Sequence, residues 1–307
     1  MVAVAAALLV VGGAVWAVTT IVGGDGEAVV SGSAPDTTPV DPTADTAPGT
    51  PAAPETAPGT VPATVAATVD AATTTTVAGP VAPTAQSPAK VLVVGDSDAG
   101  TFGPYLKQIV DGTGVAETTV DYKVSSGLAR PDFFDWPAHL GEELPAADPD
   151  IVVVTFGGND GQGLSTSAGE NPQEWNDPVG KQETWTAEYS RRVGEMMDLL
   201  AADGRTVIWV GIPNDDNPEV TARMKVQDDA VRAALATHPD VQFVDTWARF
   251  SSGNGGWAEY VIDPRDGQGK DVRADDGFHL NQNGAEILAL DIAEVVKSDL
   301  RTRGATI

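Results

Sequence analysis

The chain of 307 residues carries 44 aspartates and glutamates against 18 lysines and arginines, with three histidines and no cysteine. A formal charge of −26 argues against a nucleic-acid partner or a broad grip on an anionic membrane surface, because both rest on clustered cations. Without cysteine there is no disulfide, thiolate metal site or cysteine nucleophile, and cysteine usage says nothing about redox compartment.

At about 150 residues per domain the length suggests two domains, but the charges divide the chain differently. The first basic residue is Lys90, and residues 1–89 hold only seven of the acids. The remaining 218 residues carry 37 acids and 18 bases, which suits one globular domain with a full core. Residues 2–22 form a 21-residue uncharged apolar run, long enough to cross a hydrocarbon core of about 30 Å. It lacks the basic n-region and small-x-small site of a signal peptide. Segment 1–24 is therefore expected to be an uncleaved transmembrane anchor, with a secreted form as the alternative, and no positive flank orients it. Residues 25–89 hold 11 of the 22 prolines and 14 threonines. So few large apolar groups cannot offset the entropy of ordering, and a disordered, extended stalk holding the domain outside the cytoplasm is expected.

From Lys90 the pattern changes. KVLVVGDS (90–97) reads as a buried strand ending in a turn. A helix is expected over 101–112, then strands near 117–125 and 150–160. Residues 183–203 have helical periodicity, with Trp185, Tyr189, Val193, Met196, Met197 and Leu200 on one face. Strand 205–213, helix 218–237, strand 241–247 and a closing helix 283–300 complete the order. Five strands alternating with helices predict a parallel sheet covered on both faces. Two polar, Gly-rich inserts, 161–182 and 251–275, follow the third and fifth strands. They are expected to flank the site, because ligands of such sheets bind beyond the strand C-termini.

Among three histidines, His139 lies in a helix-like stretch and His238 at a helix end, where structural roles are expected. His279 follows Asp276 by three residues in DGFHLNQNG, a spacing that can set a carboxylate against one imidazole nitrogen and leave the other as a base. Ser97, in GDSDAG, ends the first strand at a helix start, where backbone N–H groups and the dipole suit an oxyanion. On its own this motif reads equally well as a strand–helix turn capped by Asp and Ser. A P-loop is excluded because Thr101 and Phe102 follow Gly100, and the G-x-S-x-G elbow fails at Ala99.

GDS after the first strand, Ser125-Ser126-Gly127 after the second, Gly157-Gly158-Asn159-Asp160 after the third and D-G-x-H-x-x-x-x-G near the end together resemble the SGNH (GDSL-type) hydrolases. The resemblance spans residues 90–300. It implies a flavodoxin-like α/β/α sandwich, Ser97 as nucleophile, His279 as base, Asp276 as orienting carboxylate, and an oxyanion hole from Ser97 N–H, Gly127 N–H and the Asn159 amide. SSGLARPDFFDWP (125–137), with GGND and VDTW (244–247), is similar to an envelope-associated bacterial subfamily related to SGNH domains fused to membrane acyltransferases. No metal or organic cofactor is implied. The expected activity is removal of O-acyl groups, O-acetyl in particular, from an envelope glycan or another small ester. The alternatives are an acyltransferase with the same triad and a non-catalytic module binding glycan or a protein.

Asp98 stands where the family usually has Leu. It is either a first-turn acid favoured by the helix dipole or an extra carboxylate acting on His279 and on substrate charge. Arg130, with Asp132, and Asp160 are candidate substrate contacts. Phe133, Phe134 and Trp136 are expected in the core rather than as a sugar platform. Oligomeric state is open.

Overall fold

In the computed structural model the described residues are Val4–Val11, Ala14–Ile21 and 82–307. The chain divides into two units, Met1–Ala72 and Thr73–Ile307. In the first, β1 (Val4–Val11) and β2 (Ala14–Ile21) pair antiparallel, with Val11 opposite Ala14. The apolar run expected as one membrane helix is thus a pair of strands. Seven of its residues are Val, whose branched side chains strands favour. Among the described residues no helix is long and apolar enough to cross a membrane. The expected stalk lies outside the described residues up to position 81.

The second unit is built on a five-stranded, all-parallel sheet. Its strands are β3 (Ala89–Gly95), β4 (Ala116–Tyr122), β5 (Ile151–Thr155), β6 (Thr206–Val210) and β7 (Gln242–Val244). The order is β4-β3-β5-β6-β7, the flavodoxin-like arrangement, whose direction of winding reverses between β3 and β5. A crevice forms there, beyond the strand ends.

Alternate residues of the strands feed two separate cores, as period-two geometry requires. Val91, Val93, Ile151, Val153, Ile208 and Val210 pack with α1 (Ser97–Asp111) and α6 (Gln282–Thr302). Leu92, Val94, Val152, Val154, Val207 and Trp209 face α2 (Trp136–Ala147), α3 (Gln182–Ala201) and α4 (Pro218–Leu235). The helices therefore lie in one layer on each side of the sheet. Near-continuous Val/Ile runs are what two buried faces demand.

Strands β4, β5 and β6 stop at Tyr122, Thr155 and Val210, short of the expected 125, 160 and 213, and three further features differ from the sequence reading. Helix α1 starts at Ser97 rather than 101, because Asp96 caps it. Strand β7 stops at Val244, because Asp245 caps the four-residue α5 (Thr246–Arg249). The second insert holds a small hairpin, β8 (Tyr260–Ile262) with β9 (Gly269–Asp271).

Candidate active site

The site begins at the turn from β3 into α1. Gly95 has φ +151°, and a Cβ there would fall 2.1 Å from the Thr155 carbonyl oxygen of the neighbouring strand, so only glycine lets the two strand ends meet. Asp96 follows as N-cap and accepts from the Asp98 N–H at 3.0 Å. Its other oxygen accepts from the N–H groups of Gly157 and Gly158, both at 3.0 Å. This fully buried carboxylate ties the serine turn to the loop carrying Asn159. Burial, and then the Asp98 charge, push its pKa well above the ordinary carboxylate range.

Ser97, the first residue of α1, places Oγ 2.9 Å from His279 Nε2. His279 Nδ1 lies 2.6 Å from Asp276 Oδ2, and Asp276 Oδ1 accepts from the N–H groups of Phe278 and His279. Burial raises the Asp276 pKa, but the hydrogen bonds from the His279 side chain and backbone outweigh it and hold the carboxyl below its usual range. The Asp276 carboxylate thus holds Nδ1–H and leaves Nε2 toward the serine.

The loop after β4 reaches the same point. Asn159 Nδ2 donates to the Ser126 carbonyl at 3.0 Å, leaving its second amide hydrogen for another acceptor. Among the described residues neither the Ser97 nor the Gly127 N–H has a protein acceptor. A Cβ at Gly127 would fall 2.1 Å from Asp160 Oδ1, so this close approach also requires glycine. Asp160, expected as a substrate contact, is 1% exposed and committed elsewhere. It accepts from Leu128 N–H (2.8 Å), Ala129 N–H (3.0 Å) and the Tyr189 hydroxyl (2.7 Å). From the other side Arg192 donates to the Leu128 and Ala129 carbonyls. The loop expected to carry the Gly127 oxyanion donor is gripped by its amides and by its carbonyls. A helical stripe concealed Tyr189 in the sequence, and nothing there marked Arg192.

Asp98 is 6% exposed, and its Oδ2, which has no hydrogen-bond partner, lies beneath Gly158. Burial, with the Asp276 charge next, pushes its pKa up to about 7 against the opposing pull of Arg273. It makes no hydrogen bond to His279, and its burial removes it from the surface a substrate would meet. Arg130 spends Nε and Nη2 on Asp132 (2.8 and 2.7 Å). Trp136 is fully buried as expected, but Phe133 is 52% exposed. His139 binds Asp121 at 2.6 Å, and His238 accompanies the Ala234 carbonyl at the end of α4.

Arg273, hidden in a Gly- and acid-rich insert, is a site residue the sequence reading missed. Its buried guanidinium donates to the carbonyls of Asn214, Phe250, Ala258 and Phe278 and to the Asn214 side chain. Burial pulls its pKa down to about 10 despite the nearby Asp215 and Asp98 charges. With Trp257, which donates to the Gly277 carbonyl at 2.8 Å, it braces the histidine loop. The first insert contributes to a cavity of about 380 Å³ that runs from Gly127 and Leu128 to Trp175 and α3.

Fold and site together define a three-layer α/β domain of flavodoxin-like strand order with a Ser–His–Asp set at the C-terminal ends of the strands, the arrangement that the resemblance to the SGNH hydrolases led us to expect. The chain belongs to the family described as protein of unknown function (DUF459), which matches residues 90–295. No curated protein matches it. Among solved structures it is similar to a GDSL-like lipase from Bacteroides thetaiotaomicron, with 13% identity, 68% of this chain and 88% of that one covered, and a TM-score of 0.47. It is also similar to a variant of an acetyl xylan esterase from Geobacillus stearothermophilus (18%, 71% and 96%, 0.46). A psychrotrophic esterase from a Pseudoalteromonas species shows the same likeness (10%, 69% and 98%, 0.45).

Proposed function

We propose that residues 90–307 form a serine esterase that removes O-acyl groups, O-acetyl in particular, from a cell-envelope glycan. The observation that carries this reading is the hydrogen-bonded relay from Ser97 Oγ to His279 Nε2 and from Nδ1 to Asp276. Nε2 takes the Oγ proton as Oγ attacks the ester carbonyl carbon, and a tetrahedral oxyanion forms. The Ser97 and Gly127 N–H groups and the Asn159 amide are placed to receive its charge. Losing one such donor typically costs about 10²–10³ in rate. Collapse breaks the bond to the alcohol oxygen, which leaves with the proton from His279. Water, deprotonated by His279, then attacks the acyl-enzyme, releases the acid and restores Ser97.

The short acyl group is supported by polar, Gly-rich inserts rather than long apolar walls. The glycan and the extracytoplasmic location rest on the Pro/Thr-rich segment, the apolar N-terminal run and the subfamily resemblance. The test pairs two readouts: a fluorophosphonate should add to Ser97 as seen by peptide mass spectrometry, and purified acetylated envelope polymer should release acetate. Label elsewhere, or none, contradicts the esterase. Labelling without acetate release contradicts the substrate.

A further inference from the structure

The cavity beside the oxyanion loop has a definite chemistry. It starts at Gly127 and Leu128, the loop that reaches the serine turn, and extends away from Ser97 and His279, neither of which lines it. Its volume of about 380 Å³ falls in the range of small-molecule sites. Phe134 and Trp175 supply aromatic surface, and Thr166 and Ser167 supply hydroxyls. The charged lining is already neutralised. Arg191 is bound by Glu188 through two 2.8 Å bonds and by Glu195. Arg192 is bound by Glu188 and by the loop carbonyls. Asp135 caps α2.

Both guanidiniums there are paired with carboxylates, and Asp135, Glu188 and Glu195 outnumber Arg191 and Arg192. A long acyl chain would leave the ion pairs and hydroxyls facing hydrocarbon, at a cost. Aromatic faces mixed with planar hydrogen-bonding groups suit a neutral ring with an apolar face and a polar edge. We infer that this cavity is a subsite for a neutral pyranose unit of the acylated substrate, discriminating against uronates and other anionic sugars. The inference rests on the esterase reading and adds to it where the sugar lies and what charge it carries.

Two variants probe it without touching the triad or the oxyanion loop. Trp175→Leu removes aromatic surface and keeps an apolar side chain against Arg192, which holds the Leu128 and Ala129 carbonyls. Ser167→Trp plugs the cavity from an exposed position whose side chain makes no hydrogen bond among the described residues. Each is assayed in the full chain with p-nitrophenyl acetate, mono-O-acetyl cellobiose and the matching acetylated disaccharide ending in a uronic acid. The expected result is unchanged turnover of p-nitrophenyl acetate within about twofold, and a loss of kcat/KM on acetyl cellobiose of about tenfold or more, near 1.4 kcal/mol. Wild type should prefer the neutral disaccharide over the uronate. Equal losses on both neutral esters, no loss on the sugar ester, or preference for the uronate overturns the subsite. Failure of wild type on every ester overturns the esterase reading itself.

Discussion

The division of labour among the aspartates is set by what each carboxylate touches. Asp276 holds the imidazole Nδ1 at 2.6 Å and is kept ionised by the groups that donate to it. Replacing it with Asn would favour the wrong tautomer, so Asp276→Asn should lower kcat by about 10²–10⁴ with a smaller change in KM. Steady-state kinetics on p-nitrophenyl acetate checks this, and unchanged kcat would remove Asp276 from the relay. Asp98 is different: it is buried beneath Gly158 with one oxygen unpartnered, and its folded pKa of about 7 lies above the value of an exposed carboxylate. A raised folded pKa means that the folded state binds the proton more tightly than the unfolded chain. The associated stability is present at low pH and lost as pH rises through about 7. The urea midpoint of wild type relative to Asp98→Asn should therefore fall between pH 5 and pH 8.5. A flat or rising difference contradicts the burial argument.

At the scale of elements, the oxyanion loop is the part whose accuracy depends most on its neighbours. Asp160 accepts from the Leu128 and Ala129 amides while Arg192 donates to their carbonyls, and the Tyr189 hydroxyl on α3 donates to Asp160. In Asp160→Asn an amide NH₂ would meet at least one of those N–H groups. We expect kcat to drop about 10–100-fold, with a stability loss of about 1–3 kcal/mol. A fall in melting temperature with kcat intact would show that the clamp serves the fold alone. These elements also show what the sequence could carry. The strands and long helices were legible because two-sided burial writes Val/Ile runs and helical stripes. GDS and D-x-x-H were legible because they stand at element ends. Asp160 read as a substrate contact, since its burial arises only when the loop after β4 folds over it. Arg273 and Arg192 could not be found, because their partners are mainly backbone carbonyls, which leave no trace in residue identity. The apolar run 2–22 misled in the opposite direction: length alone suggested a helix, while the branched side chains of its valines favoured strands.

For the whole molecule, both cores of the sheet are closed by residues from Ala89 to Ala305. A fragment of residues 82–307 should therefore unfold in a single cooperative transition and keep kcat/KM on a small ester within about twofold of the full chain. Loss of cooperativity in urea would show that the N-terminal segment contributes to the fold. The acidic balance also acts at this scale: with 44 acids against 18 bases, the molecule repels polyanions. Ser97 is the residue on which the proposed ester chemistry rests. Purified full-length wild type and Ser97→Ala, matched by circular dichroism, are to be compared on p-nitrophenyl acetate. Turnover by wild type and a loss of at least about 10³ in kcat/KM for the variant are expected of a serine nucleophile. Equal turnover by two equally folded proteins would contradict that chemistry.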